Sequence, residues 1–146
     1  MKKPLLISAC LLGLACRYDG ERKPMDKALL DALMERWQLI PVCPEQLGGM
    51  ATPRTPAERQ GDRVVSQSGG DVTAQYRLGA AQTCALCRLF GCKDALLKER
   101  SPSCGSGAVY DGSFTGTLTA GDGVTAQALK ALGIRVYGES EINALL

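Results

Sequence analysis

Cys10, Cys43 and Cys104 each stand just beyond an apolar, strand-like run, in Ser8-Ala9-Cys10-Leu11-Leu12-Gly13, Pro41-Val42-Cys43-Pro44-Glu45 and Arg100-Ser101-Pro102-Ser103-Cys104-Gly105. Three thiolates can hold three corners of a four-iron cluster and leave the fourth iron without a protein ligand, free to take a substrate atom. That arrangement describes catalysis rather than electron carriage. Two other readings stay open on residue type alone. A structural zinc would prefer four sulfurs, with Cys16 as the fourth, and the same residues could be buried thiols with no common partner.

Glu45 lies two residues after Cys43, across Pro44, so a metal at Cys43 would have this carboxylate beside it. The chain contains no histidine, which removes the commonest general base and every His-ligated metal site. Proton transfer then falls to a carboxylate, Cys, Lys, Tyr or water. Glu45 is the first candidate for general base, since the net negative charge of a three-thiolate cluster would strengthen a neighbouring carboxylate as a proton acceptor. Ser101 and Ser103 bracket Pro102 immediately before Cys104. Ser101 could orient a water or pass a proton, or it could satisfy a turn. Thr52-Pro53-Arg54-Thr55-Pro56 is a stiffened loop with one cation and two hydroxyls, suited to a lid or a binding strip for a polar heterocycle, and equally to a plain surface loop.

The loudest cysteine spacing is a different one, Cys84-Ala85-Leu86-Cys87 followed by Cys92. It falls in a helical pattern, where cysteines three apart behave as small hydrophobes facing a core, and core packing is the reading adopted. Gly121-x-Gly123-x-x-Ala126 matches the loose dinucleotide fingerprint. It lacks a convincing preceding strand and an acidic partner about 20 residues on, so it reads as a helix start.

These groups must be positioned by the elements around them. Leu5 to Ala9 reads as a continuously apolar strand, Asp26 to Trp37 as a helix opened by Pro24 and Asp26, and Gln38 to Val42 as a second strand, which together make a β-α-β unit. Gly48 to Gly61 reads as a long irregular loop. Arg63 to Gln67 follows as a small edge strand, Val72 to Phe90 as a long helix ending at Gly91, and Ala95 to Lys98 as a third core strand. Tyr110-Asp111-Gly112-Ser113 reads as a turn between irregular segments. Val124 to Leu132 is a helix, Ile134 to Tyr137 a fourth strand and Glu139 to Leu146 a terminal helix. Residues 1–146 thus read as a single α/β domain, Rossmann-like, with a small, mostly parallel sheet flanked by helices and with long active-site loops. In such sheets ligands sit beyond the carboxyl ends of the strands where strand order reverses. Cys10, Cys43 and Cys104 each follow a core strand and are expected to converge on that edge.

Composition sets the outer bounds. With 146 residues and 45% hydrophobic content, one core forms without disulfides. Seven cysteines, an odd number with no signal peptide ahead of them, point to a reducing compartment, and the cytoplasm is expected. A net charge of +2 without a basic stripe, and 5% aromatic residues, argue against large nucleic acid as a partner. No run approaches the roughly 18 apolar residues of a membrane span.

The set Ser-Ala-Cys-Leu-Leu-Gly, Cys-Arg-Tyr-Asp-Gly, Pro-Val-Cys-Pro-Glu, Thr-Pro-Arg and Glu-Arg-Ser-Pro-Ser-Cys-Gly, in this order, resembles the small bacterial family DUF523 over nearly the whole chain. The resemblance implies a [4Fe-4S] cluster held by Cys10, Cys43 and Cys104, with Glu45 and Ser101 as the catalytic pair. It also implies thiouracil as the small thiolated substrate, converted to uracil with release of sulfide and no change of redox state. Alternatives from other classes are a sulfur-transferase using the same open iron, a zinc-containing regulatory module, and an electron carrier using Cys16 as a fourth ligand.

Overall fold

A run of apolar residues too short for a stable helix, and too continuous for a strand with one wet face, opens the chain and becomes the middle of the sheet. The computed structural model describes all 146 residues, Met1–Leu146. In chain order the elements are β1 (Lys3–Ser8), α1 (Lys27–Arg36), β2 (Trp37–Val42), α2 (Pro44–Leu47), β3 (Ala57–Gln60), β4 (Arg63–Ser66), α3 (Thr73–Phe90), β5 (Asp94–Leu97), β6 (Ala108–Tyr110), β7 (Leu118–Ala120), α4 (Val124–Ala131) and β8 (Arg135–Gly138). Single 3-10 segments cover Ala9–Leu12 and Glu139–Leu145.

The main sheet has the order β2-β1-β5-β8, with all pairs parallel. Strands covered on both faces need apolar residues throughout, and Leu5, Leu6 and Ile7 of β1 with Ala95, Leu96 and Leu97 of β5 are wholly buried. Alternation then divides them. Leu6, Ala95 and Leu97 face α3 and α4 and pack with Cys84, Cys87, Ala126 and Leu129. Leu5, Ile7 and Leu96 face α1 and the C-terminal segment and pack with Leu33, Trp37, Ile142 and Leu145. Burying each such Leu or Ile contributes about 1.5–3 kcal/mol. Pro41, which cannot donate to a ladder, sits in β2 at the sheet edge, where that loss costs least.

The chain passes from β1 to β2 on one side and then crosses to β5 on the other, so strand order reverses between β1 and β5. The carboxyl ends of β1, β2 and β5 therefore border one crevice. No helix is long and apolar enough to cross a membrane.

Three segments differ from the sequence reading. The stretch read as an irregular loop contains β3, paired antiparallel with β4. Its Ala-Glu-Arg-Gln composition hides a strand because its one buried residue is the charged Glu58. The surroundings of Tyr110–Ser113 are not irregular either: β6 and β7 pair antiparallel across that turn. The terminal helix is a 3-10 segment, fastened at its start by the Glu141 carboxylate accepting the Gly138 N–H at 3.0 Å.

Candidate functional site

Cys10 lies in the 3-10 turn directly after β1, half-buried, and Cys43 is the residue between β2 and α2, also half-buried. Proline suits the first position of a helix, so Pro44 turns the chain at once and α2 carries Glu45 in its first turn. What holds α2 in place is a glycine contact with α3. A Cβ on Gly79 would stand 2.0 Å from the Pro44 carbonyl oxygen, and one on Gly48 would stand 2.1 Å from that of Gln75. Both glycines let two backbones touch where any side chain would push Cys43 and Glu45 away.

Cys104 ends the loop after β5 and is buried. The amides that open α4 grip this loop: Val124 N–H donates to the Pro102 carbonyl at 2.8 Å, and Thr125 and Ala126 N–H donate to that of Ser103 at 2.9 and 3.1 Å. Gly123 makes the approach possible, since a Cβ there would stand 2.4 Å from the Ser103 oxygen. The helix start that mimics a dinucleotide fingerprint thus binds the protein's own carbonyls. Ser101 Oγ accepts the N–H groups of Ser103 at 3.1 Å and Cys104 at 3.0 Å. It satisfies the turn, as one sequence reading had it, and still keeps its own O–H to donate.

All three cysteines line one cavity of about 490 Å³ at the carboxyl edge of the sheet, together with Glu45 and Ser101. Cys16 lines it as well. It neighbours Cys10 and Cys43 there, and its carbonyl receives the Cys43 thiol at 3.7 Å. Cys16, the fourth sulfur that a zinc site or an electron carrier would use, therefore borders the same cavity. No three thiols or carboxylates close tightly enough around one point to hold a single metal ion. Soft thiol donors gathered at one cavity are the donor set that both iron-sulfur groups and structural zinc use.

The thiol environments agree with that donor set. The neighbouring Cys16 thiol, followed by burial, holds the Cys43 thiol far above the usual range. The neighbouring Cys10 raises that of Cys16. Burial pushes the Cys104 thiol up to about 12. Thiols held protonated in this way are poor nucleophiles on their own, and they become thiolates when a metal cation takes the proton's place.

Glu45 is almost buried and faces a buried guanidinium: Arg54 Nε donates to its Oε2 at 2.6 Å. Arg54 also reaches the carbonyl oxygens of Cys16 at 2.9 Å and Ala51 at 3.1 Å. The Thr52–Pro56 loop borders the cavity through Arg54, Thr55 and Pro56, and its cation ties Glu45 to the Cys16 turn. Tyr76 of α3, buried, lines the same cavity, and burial, followed by the negative charge of Glu45, raises its ionisation well above the ordinary phenol range.

Arg54 was visible in sequence as the cation between two prolines, though its partner was not. Tyr76 carried no signal, because a tyrosine on the inner face of a helix reads as core. Cys84, Cys87 and Cys92 are buried with Leu6, Ala95 and Leu129 in the core beneath α3 and α4, away from the cavity. They pack, as expected.

Residues 5–141 match the family described as 2-thiouracil desulfurase. The chain is 42% identical to the uncharacterized protein YbbK of Bacillus subtilis (strain 168), over 97% of this chain and 99% of that one. It also superposes with a TM-score of 0.94 on the solved structure of the [4Fe-4S]-dependent thiouracil desulfidase TudS, at 48% identity over 99% of this chain and 95% of that one.

Proposed function

Because the chain belongs to the 2-thiouracil desulfurase family, we propose that it removes sulfur from thiouracil by a non-redox hydrolysis, using a [4Fe-4S] cluster held by Cys10, Cys43 and Cys104. The observation that carries this reading is the convergence of those three thiols with Glu45 and Ser101 on one cavity at the strand-order reversal. Bound there, a [4Fe-4S] cluster with three cysteine ligands supplies a Lewis-acidic iron that a soft thiocarbonyl sulfur prefers.

The remaining work falls to this chain's own residues. Ser101, its lone pairs engaged by the Ser103 and Cys104 amides, donates its O–H to a water in the cavity. Glu45 takes a proton from that water. Arg54 holds the carboxylate through Oε2 and fixes its orientation for the task. The hydroxide so formed adds to the thiocarbonyl carbon, the carbon-sulfur bond breaks, and sulfur leaves as hydrosulfide while the ring leaves as uracil. No electrons are exchanged, so no reductant is required. Cys16 is not needed as a ligand in this scheme and remains a neighbour of Cys10 and Cys43.

Oxygen-18 water tests the hydrolysis. The anaerobically prepared enzyme should release uracil carrying one heavy oxygen at the former thiocarbonyl carbon, with one sulfide per uracil. Sulfide release that depends on an added thiol acceptor would point instead to sulfur transfer.

A further inference from the structure

Four of the seven aromatic side chains in this sequence, which has one Trp, four Tyr and two Phe, line the single cavity described above: Tyr18, Tyr76, Tyr110 and Phe114. Tyr76 is almost wholly buried, 3% exposed. Tyr18 lies exposed beside the Arg17 guanidinium, 5.8 Å from its ring. Phe114 is different. It has no polar group to satisfy, is half-buried at the cavity, and holds a backbone φ of 57°, a region that bulky side chains rarely enter. Something must hold it there.

That something is β3. Glu58, a buried carboxylate, accepts the N–H groups of Gly112 at 2.9 Å and Phe114 at 3.2 Å through one oxygen. Gln60 Nε2 donates to the Gly112 carbonyl at 2.8 Å. Gly112 itself sits so close that a Cβ would stand 3.0 Å from the Arg59 carbonyl oxygen. Burying a carboxylate is costly unless its hydrogen bonds fix something, and what these fix is the turn that carries Phe114.

We infer that Phe114 is the face on which the flat ring of the substrate stacks, and that Glu58 is the positioning residue that holds it over the cavity. The inference rests on the thiouracil reading and deepens it by naming the contact that selects a planar, aromatic heterocycle. A π-face without hydrogen-bonding groups binds such rings by stacking and leaves their polar edges to other residues.

The test uses the cluster-loaded enzyme with 2-thiouracil and with its ring-saturated analogue 5,6-dihydro-2-thiouracil, and uracil binding by calorimetry. Stacking predicts that the parent prefers the planar ring and that Phe114→Ala raises KM for 2-thiouracil about tenfold, lowers kcat much less and erases the planar-ring preference. Phe114→Tyr should restore both. Glu58→Ala should raise KM in the same direction with iron content unchanged; if that chain does not fold, Glu58→Gln, which keeps one accepting oxygen, should show a smaller rise. A Phe114→Ala enzyme with the parent's KM and ring preference overturns the inference. Should the parent release no sulfide at all, the proposed function fails, and uracil affinity then decides alone. Weaker uracil binding by Phe114→Ala than by the parent supports the stacking face, whereas equal binding, or none in either, overturns it.

Discussion

The two groups of cysteines contain the same side chain in different settings, with Cys104 packing on the core of the first group while it lines the cavity of the second. Cys84, Cys87 and Cys92 are close in sequence and regular in spacing, yet they fill a core between the sheet and two helices. Cys10, Cys16, Cys43 and Cys104 are scattered over 94 positions and meet at one cavity. The difference teaches that a cysteine reaches the cavity through the element it follows. The first group rides the inner face of α3 and its C-terminal turn, where neighbours are apolar; three members of the second stand at the carboxyl ends of β1, β2 and in the loop after β5, where parallel sheets open their crevice.

The comparison can be broken most sharply at Cys104. Cys104→Ala should lose most of its iron and all measurable turnover, and iron analysis after anaerobic reconstitution checks it; a full complement of iron would remove Cys104 from the ligand set. Next comes Glu45→Gln, which should keep the iron and lower kcat by roughly 10²–10⁴-fold. Near-normal kcat in that variant would rule out the base assignment. Gly79→Ala acts on the scaffold of the site rather than its chemistry. Its Cβ would meet the Pro44 carbonyl oxygen at 2.0 Å, so a loss of about 1–3 kcal/mol in urea unfolding is expected, with reduced iron retention because Cys43 is displaced.

The packing group should respond on a smaller scale. Cys87→Ala should cost about 1 kcal/mol and leave iron and turnover as in the parent. Its pH dependence sharpens the contrast. Burial, followed by the neighbouring Cys92, raises the Cys87 thiol to about 11, whereas an unfolded thiol ionises near about 8.5. The unfolded chain loses its proton first, so this contribution is complete below about pH 8.5 and is lost as pH rises toward 11. Urea midpoints should fall across that window in the parent and fall less in Cys87→Ala.

The strands and helices of the main sheet were legible because each buries a continuous or periodic apolar pattern: Leu5–Ile7 in β1, Ala95–Leu97 in β5, the inner stripe of α3. In the two small hairpins only β4 was. β3 has one charged residue buried for a polar purpose, and β6 and β7 are three residues each, too short for a period to register. Within the site, Cys10, Cys43, Cys104, Glu45 and Ser101 could be singled out because each stands next to a strand end or a proline. The Arg54–Glu45 pair could not, since it joins the first turn of α2 to a loop whose placement depends on contacts such as Arg54 N–H to the Tyr18 carbonyl at 2.8 Å, and no spacing encodes such a contact. Cys16 was ambiguous for the same reason: the turn after Leu12 decides whether its thiol points to the core or to Cys10 and Cys43.

The most direct test of the account is to reconstitute the parent and Cys87→Ala without oxygen, quantify iron, labile sulfide and zinc, and follow uracil and sulfide from thiouracil with no reductant present. About four irons per chain, with equal uracil and sulfide in both proteins, is the predicted result. Zinc in place of iron, or iron and turnover lost on replacing Cys87, would contradict it.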